Sequence, residues 1–412
     1  MAFQQGLSGL NAASKNIEVI GNNVANASTV GFKQSRTEFA DVYANSLGGG
    51  SASKIGIGTK IAAITQQFTQ GNISNTNNPL DVAINGNGFF RMSDNGTITY
   101  TRNGQFQLDK EGFIQNATGQ RLTGYPMITS PSGERTVNQG ALVELQIDAS
   151  DIPPRTTTSI TGPLNLDSRA EVKDPALFNI ADPATYNHAT PIEVFDSLGN
   201  SQSVQLYYLK SDVTASPAST TWTVMASANG TSLGQVGTME FDGSGMNPTM
   251  TLSPLSIPLT SGGLSPMAVN LNLTGSTQFA NSFSESELAQ DGYAAGRLSS
   301  FSVGADGSIL GRYSNGQSAV LGQVALANFR NLNGLQPLGD NQWAETSDSG
   351  PPIVGVANSG GLGVMQSYRL EESNVDLTAE LVNMITAQRV YQANAQTIKT
   401  EDQIMQTLVN LR

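Results

Sequence analysis

Residues 1–24 read MAFQQGLSGLNAASKNIEVIGNNV, and their spacing determines the fold expected for both ends of the chain. Apolar positions recur at alternating steps of four and three residues, which is the spacing of a coiled-coil seam. This seam runs through Phe3, Leu7, Leu10, Ser14, Ile17, Gly21 and Val24. Gly6, Gly9 and Gly21 each weaken a helix by roughly 1 kcal/mol relative to Ala. The segment is therefore predicted to be a helix that needs a partner.

The opposite end of the chain carries the same spacing from residue 374 to residue 409. Ser373 or Asn374 can cap a helix whose first turn contains Asp376 and Glu380, where carboxylates favour the positive end of the helix dipole. The second seam runs through Leu377, Leu381, Met384, Gln388, Tyr391, Ala395, Ile398, Asp402, Met405 and Val409. One such stripe alone is typical of a buried core helix, but two matching seams at opposite ends favour a helix pair.

We predict that these two seams also hold copies of the chain together. The predicted assembly interface consists of the seam residues Leu7, Leu10, Ile17, Val24, Leu377, Leu381, Met384, Tyr391, Ile398 and Met405. Charged residues make up only 13% of the chain, about half the usual share, so much of the surface must be Ser, Thr, Asn, Gln and Gly. Such a surface suits contacts between subunits.

Between the two ends, the period changes from that of helices to that of strands. Short apolar runs between residues 84 and 114 are separated by the turn pairs Asn95-Gly96, Asn103-Gly104 and Glu111-Gly112. One spacing of Phe, Gly and Ile occurs twice, at residues 106–114 and again at residues 301–309. The two copies indicate one β-domain built from both sides of a long insertion.

The insertion, roughly residues 147–290, has strand signals of its own. Alternating apolar residues flank a turn at residues 197–200, and residues 222–225 and 269–273 are further predicted strands. The Gly- and Ser-rich stretch Leu47–Ser53 is predicted to be a loop or linker. The predicted fold class is mainly β with terminal α-helices that form a coiled coil, in a nested multi-domain order.

Composition argues against several kinds of partner. The formal net charge is −12 and no run of Lys or Arg occurs, so nucleic acid and anionic membranes are not expected to bind. The chain has no cysteine, which excludes disulfides and thiolate chemistry.

The first residues lack the features of a cleaved signal peptide, and no stretch approaches the ~18 apolar residues of a membrane span. Any export must use an uncleaved signal.

One enzyme motif occurs, but it lacks its partners. Residues 230–234 fit the G-x-S-x-G pattern of a nucleophile elbow. The only histidine, His188, precedes Ser232, whereas this hydrolase class places it afterwards, and no helix pattern follows the serine. Only carboxylates remain as metal ligands, and none has the spacing of a calcium loop. We predict that the chain is not an enzyme and has no catalytic, cofactor-binding or metal site.

The segment IGNNVANASTVGFK, residues 20–33, closely resembles the N-terminal signature of the bacterial flagellar rod and hook proteins. Its motif residues are Gly21, Asn22, Asn23, Asn26, Gly31 and Phe32. Residues 86–90, 100–106, 370–375 and 388–391 also resemble this family. Rod members are much shorter and lack a large insertion, so the length and residues 147–290 point to a hook protein.

The resemblance implies a structural subunit that the flagellar type III apparatus exports without a cleaved signal peptide. Outside the cell it would polymerise into a curved, flexible tube, a universal joint that transmits motor torque from rod to filament. The implied partners are further copies of the chain, the rod, the hook cap, the hook-length control protein and the hook–filament junction proteins.

The resemblance also implies a division into domains. The terminal helices form the inner tube, short segments connect them to a split β-domain, and the insertion lies outside. The corresponding residues are 1–28 and 373–412 for the helices, 29–72 and 365–372 for the connecting segments, 73–146 and 291–364 for the split β-domain, and 147–290 for the outer β-domain. Two alternatives stay open, a distal rod subunit of the flagellar basal body and, outside the family, a secreted β-domain binding protein.

Overall fold

The computed structural model describes residues 2–42, 56–129, 135–148, 150–215, 218–286 and 288–410. The predicted linker Leu47–Ser53 lies outside these residues. The chain forms two compact units. The first unit contains residues 1–149, 300–311 and 318–412, and the second contains residues 150–299 and 312–317.

The described residues form two long α-helices and 31 strands. The helices are α1 (Ala2–Ala25) and α2 (Leu377–Asn410). The strands are β1 (Ser35–Val42), β2 (Gly58–Gln66), β3 (Ile73–Asn75), β4 (Val82–Asn85), β5 (Phe89–Asp94), β6 (Thr97–Thr101), β7 (Gln107–Leu108), β8 (Ile114–Gln115), β9 (Arg121–Thr129), β10 (Arg135–Val137), β11 (Val143–Glu144), β12 (Ser159–Thr161), β13 (Leu164–Asp167), β14 (His188–Phe195), β15 (Ser201–Ala215), β16 (Ala218–Ala228), β17 (Thr231–Asp242), β18 (Thr249–Leu252), β19 (Leu255–Ile257), β20 (Met267–Asn272), β21 (Thr277–Phe279), β22 (Ser284–Glu285), β23 (Ala289–Gln290), β24 (Leu298–Val303), β25 (Ser308–Tyr313), β26 (Ser318–Asn328), β27 (Gln336–Gly339), β28 (Gln342–Ala344), β29 (Ile353–Val356), β30 (Val364–Ser367) and β31 (Arg369–Glu371).

In the first unit, α1 packs against α2 and against a hairpin of β1 and β2. The hairpin is antiparallel, and it follows α1 along most of its length. At one end the Asn23 side chain bonds the backbone of Ser35, and at the other the Ser8 hydroxyl accepts a bond from the Thr59 N–H. These residues lie in a predicted connecting segment, and the strands of the hairpin were not predicted.

The cap of α2 differs from the predicted one. Asp376 is the cap, because its Oδ1 accepts the N–H groups of Thr378 and Ala379 at 2.8 and 3.2 Å. The predicted cap at Ser373 or Asn374 is wrong. The Asn374 side chain bonds the connecting segment instead, accepting from the Gln34 N–H at 2.8 Å.

A 13-stranded sheet forms most of the rest of the first unit, beside two small sheets that pair β3 with β31 and β4 with β30. Its main path runs β24-β25-β26-β9-β5-β6-β28-β27, so strands from both sides of the insertion share one sheet. The predicted turn Asn95-Gly96 joins β5 to β6 with φ of +49° and +95°. Edge-on aromatic rings fill part of the core, with Phe89 5.5 Å from Trp343 and Tyr100 4.8 Å from Phe329 between ring centroids.

The second unit is a packed assembly of β-sheets. Strands β14-β15-β16-β17-β18 form an antiparallel sheet, and two smaller sheets have the orders β19-β20-β12-β23 and β21-β13-β22. The predicted hairpin around residues 197–200 joins β14 to β15. Trp222, Tyr208 and Phe241 lie fully buried in its core. The prediction of a mainly β chain with helices at both ends that pack together is confirmed.

Candidate functional site

The enzyme motif tested in the sequence lies in an ordinary hairpin. Gly230, with φ of +79°, forms the turn between β16 and β17, and Ser232 lies in β17, which is followed by another strand. His188 lies in β14 with its ring stacked on Phe283, 4.5 Å between centroids. Among the residues that the structure describes, no group of three or more His, Cys, Asp or Glu is arranged to hold a metal ion.

Gly31 forms the exit from α1 in the first unit. Its φ is +72°, and a Cβ at this position would lie 2.6 Å from the backbone nitrogen of Asn103. The Gly31 N–H donates to the carbonyl of Glu371 at 2.8 Å. Glycine is required here because any larger residue would be both strained and in collision with the backbone. The exit from α1 can therefore lie directly against the sheet and against the segment before α2.

Three charged side chains meet beside Gly31, and we name them the charge triad: Lys33, Arg102 and Glu371. The Lys33 Nζ lies 2.6 Å from Oε1 of Glu371, and Nη1 of Arg102 lies 3.1 Å from its Oε2. The three side chains are between 0 and 5% exposed. One residue comes from the exit of α1, one from the sheet and one from the segment before α2. The triad thus joins three segments that are far apart in the sequence.

Hydrogen bonds satisfy most of the other polar atoms of the triad, while the buried Nε of Arg102 has no hydrogen-bond partner among the described residues. Lys33 Nζ also donates to the carbonyl of Thr69 at 2.7 Å, and Nη2 of Arg102 donates to the carbonyl of Gly86 at 2.7 Å. Burial lowers the pKa of Lys33, while the Glu371 carboxylate opposes this shift. Removing the carboxylate would leave two buried cations without a counter-charge, which is far more costly than losing an exposed ion pair.

A second buried carboxylate joins the two helices. Glu380, in the first turn of α2, is 3% exposed. Its Oε1 accepts from Nε2 of Gln34 at 2.7 Å, and its Oε2 accepts from Nδ2 of Asn23 at 3.4 Å. Asn23 in turn bonds the backbone N–H and carbonyl of Ser35. The motif residue Asn23 therefore holds α1, the hairpin and α2 together.

The other motif residues surround this junction. Gly21 lies in α1 with open space where a Cβ would be, so the fold places no steric demand on it. Nδ2 of Asn26 donates to the carbonyl of Asn22 at 3.0 Å. Both residues line a cleft of about 330 Å³ together with the half-buried Phe32 and the buried Trp343.

The helices of the pair approach each other closely on small residues of α1. A Cβ on Gly6 would lie 3.0 Å from Cγ1 of Ile398, and a Cβ on Gly9 would lie 2.7 Å from Oδ1 of Asn394. The buried residues of α1 are Gly6, Ala12, Ala13, Ile20 and Asn23. Gly6, Ala13 and Ile20 precede the predicted seam by one position, so the helices meet on the face beside that seam.

The predicted assembly residues mostly lie on the free sides of the helix pair. Ile398 is the member that packs against α1. The exposed members are Leu7, Leu377, Leu381, Tyr391 and Met405. The half-buried members are Leu10, Ile17, Val24, Met384 and Ile398. The five exposed members are available for contacts with other copies, and the role of all ten residues in assembly stays a prediction.

The roles of Lys33, Arg102, Glu371 and Glu380 were not predicted from the sequence. Three of these residues lie in segments that resemble the family and Glu380 lies in a predicted helix turn, but no local pattern shows what their side chains contact. One available signal was the scarcity of charge. In a chain with only 13% charged residues, an acidic residue directly after the apolar Leu370 is a candidate for burial.

Four family models match the chain. The flagella basal body rod protein model matches residues 3–33, and the model of the flagellar hook protein FlgE/F/G D1 domain matches residues 83–161. The flagellar basal body protein FlaE D2 domain model matches residues 165–293. The flagellar basal body rod FlgEFG protein C-terminal model matches residues 366–411.

Curated relatives are similar over their whole length. The flagellar hook protein FlgE of Escherichia coli strain K12 is 42% identical over 100% of both chains. The flagellar hook protein FlgE of Borreliella burgdorferi is 34% identical over 100% of this chain and 99% of the relative. These identities extend across both units.

A solved structure has the same fold. The crystal structure of the Helicobacter pylori flagellar hook protein FlgE2 superposes with a TM-score of 0.55 and 15% identity, over 72% of this chain and 100% of that one. At this identity the likeness concerns the fold alone. The assignment rests on the relatives that match from end to end, and on them the chain belongs to the flagellar hook protein FlgE family.

Proposed function

We propose that this hook protein works by polymerising into a curved, flexible tube that transmits motor torque from the rod to the filament. The observation that supports this proposal best is the set of apolar side chains that the helix pair leaves exposed. Phe3, Leu377, Leu381 and Ile385 are between 46 and 51% exposed. Burial of apolar surface is worth about 25 cal/mol per Å², so neighbouring copies that cover these residues would hold the tube together.

The charge triad supplies a rigid link for torque. In the proposal, the terminal helices at 1–28 and 373–412 form the inner tube, and the split β-domain at 73–146 and 291–364 forms the shell around it. Glu371 and Glu380 join the helix pair to its hairpin and to the sheet through buried hydrogen bonds. A load on the sheet is therefore passed to the helices through contacts that water does not weaken.

The outer β-domain at 147–290 would allow the tube to bend. Bending at each rotation requires contacts between neighbouring copies that rearrange at little energetic cost. Exposed ion pairs between copies would add little to the strength of the contact but would favour one relative position of the copies. The low share of charged residues in the chain, 13%, keeps such pairs few. The connecting segments at 29–72 and 365–372 would carry the load from helix to shell.

The remaining proposed partners are the proteins that a hook subunit would meet in the flagellum. We include in the proposal the rod, the hook cap, the hook-length control protein, the hook–filament junction proteins and the type III export apparatus. Export would proceed without a cleaved signal peptide, to a site outside the cell. No helix in the described part of the chain is long and apolar enough to cross a membrane. The proposed role is structural and involves no catalysis.

Electron microscopy of the polymerised, purified chain tests this function. We expect curved tubes built from a helical lattice. Straight, stiff tubes would favour the distal rod subunit instead. A chain that stays monomeric under all polymerising conditions would contradict both functions and favour a secreted binding protein.

A further inference from the structure

Helix α2 continues beyond the part that α1 covers. Ile398 packs against Gly6, which lies about one turn from the start of α1 at Ala2. Every residue from Asp402 to Thr407 is exposed. We define residues 399–410 as the tail of α2. Its three turns have little contact with the rest of the described chain.

The tail repeats the apolar stripe that packs on α1. Met405 follows Ile398 by seven residues and Val409 follows Met405 by four, so the three side chains lie on one side of the helix. Met405 is 60% exposed and Val409 is 70% exposed. The tail therefore presents the type of surface that binds α1, at a position that its own α1 does not reach.

A groove beside α1 offers a matching surface. It has a volume of about 980 Å³ and lies between the β1–β2 hairpin and α2. On the α1 side it is lined by the small or apolar residues Gly9, Ala12, Ala13, Val19 and Ile20 and by the polar residues Gln5, Asn16 and Asn23. Phe39 on the hairpin and Val390 on α2 line its two sides, and each is 47% exposed. Small residues on the α1 side let a helix approach closely, as they do where α2 packs on Gly6.

Charge on the two surfaces is complementary. Arg36 lines the groove, is exposed, and forms no ion pair with any described residue. The tail carries Glu401 and Asp402 side by side and one basic residue, Lys399, so its described charge is net negative, and none of the three is ion-paired within the described chain. An acidic helix end would be attracted to a groove with a basic edge.

We propose that the tail of α2 from one copy packs into the groove beside α1 of a second copy. The inference rests on the proposed function and names the surfaces that meet. Because the tail and the groove are different surfaces, the contact is heterologous. Each copy then has one free tail and one free groove, so the contact can repeat from copy to copy and does not pair two copies symmetrically. Such a contact builds an open helical polymer when the rotation between copies does not close into a ring.

Engineered cysteines test the contact, because the natural chain has none. Met405→Cys places a thiol in the tail, and Asn16→Cys places one in the groove. The matched control is Asn11→Cys, the same substitution on an exposed position of α1 outside the groove lining. Equimolar mixtures of full-length single-cysteine chains are polymerised, oxidised gently and digested, and the linked peptides are quantified by mass spectrometry.

We expect the Met405–Asn16 linkage in polymer at no less than tenfold the yield of the Met405–Asn11 linkage, and neither in monomer. Polymer with equal yields, or with no linkage at Asn16, would overturn the contact and leave the proposed function standing. Failure of the natural chain to polymerise would overturn both.

A charge exchange tests the same contact without cysteines. Arg36→Glu is expected to raise the critical concentration for polymerisation about tenfold. Adding Glu401→Arg and Asp402→Arg to the same chain is expected to restore it, because every tail and groove then carries the exchanged charges. An unchanged critical concentration in Arg36→Glu, or no rescue in the triple variant of a chain that folds normally, would overturn the inference.

Discussion

Glu371 holds the first unit together at the scale of a single residue. Its carboxylate accepts from Lys33, Arg102 and the Gly71 N–H, and the Lys33 and Arg102 side chains are almost completely buried. Its backbone carbonyl accepts from Gly31. One residue thus fixes the exit of α1, the sheet and the approach to α2.

Glu371→Gln tests the charge triad. The change leaves Lys33 and Arg102 buried without a counter-charge, so we expect the free energy of unfolding of the first unit to fall by about 3–5 kcal/mol. Urea denaturation followed by Trp343 fluorescence measures it, since this tryptophan lies in the first unit and donates to Gln66 at 2.6 Å. The control is Glu372→Gln, an exposed neighbour, for which we expect a change below about 0.5 kcal/mol. Equal effects would contradict the role of the triad.

Gly31→Ala tests the helix exit. With φ of +72° and the backbone of Asn103 at 2.6 Å from the new Cβ, the substitution is expected to cost about 1–3 kcal/mol of stability. The control is Gly21→Ala, which meets nothing within 4 Å and lies in α1. Alanine favours the helix there, so a gain of up to about 1 kcal/mol is expected. Thermal unfolding of both variants measures these changes in stability. An unchanged stability in Gly31→Ala would refute the steric argument.

Asp196 makes the second unit sensitive to acid. Burial alone would raise its pKa, but hydrogen bonds from Ser261, Asn200 and Leu198 outweigh burial and hold the pKa at about 2. The unfolded chain has the ordinary pKa of about 3.9, so the stabilisation is complete above about pH 4 and is lost as the pH falls through about 2. We expect Asp196→Asn to cost about 1–2 kcal/mol at pH 7 and almost nothing at pH 2, as measured by urea denaturation followed at Trp222. A difference that does not depend on pH would contradict this assignment.

At the scale of elements, the periodicity of apolar residues predicted the helices, and the Asn-Gly pair predicted the turn between β5 and β6. The four-and-three spacing is a local property, and so is the Asn95-Gly96 signal. The β1–β2 hairpin was missed because its strands carry mixed polar and apolar residues, and what fixes their position is α1 beside them. The face on which the helices meet was also not predicted. In the sequence, Gly6 and Gly9 only lower the stability of α1, and their role as points of close approach becomes visible when α2 lies against them.

The charge triad shows the limit of such patterns most clearly. Lys33 and Glu371 are separated by 338 positions, and Arg102 and Glu371 by 269. No periodicity or motif with a fixed local spacing connects residues at those distances. The resemblance to known proteins identified the segments that contain them, but only the folded chain brings the side chains together.

Leu381→Asp tests the outer side of the helix pair as an assembly interface. Leu381 is 49% exposed, so the monomer should fold as before, whereas a carboxylate buried between copies costs several kcal/mol. We expect loss of polymer in sedimentation and electron microscopy with unchanged thermal unfolding of both units. Thr397→Asp is the control on the opposite side of α2, where the residue is also exposed. Normal tubes from Leu381→Asp would refute this part of the interface.

At the scale of the whole molecule, the proposed function assigns two mechanical tasks to the two units. The first unit contains both helices and the buried junction, while the second is a β-unit within which Ile152 and Gly296 lie side by side, joined by a 2.9 Å hydrogen bond. The chain segments that enter and leave the main part of the second unit therefore lie side by side.

Deleting the second unit tests this separation. Replacing residues 153–295 by a short Gly-Ser linker should leave the first unit folded, since Ile152 and Gly296 are already adjacent. Trp343 then becomes the only tryptophan, so its fluorescence reports that unit directly. We expect tubes to form through the helices but to lose their fixed curvature, because the contacts that the second unit is proposed to make between neighbouring copies are gone. Tubes with natural curvature and flexibility would contradict this expectation and show that bending is controlled within the first unit. If no tubes form although Trp343 fluorescence is native, the second unit takes part in assembly itself.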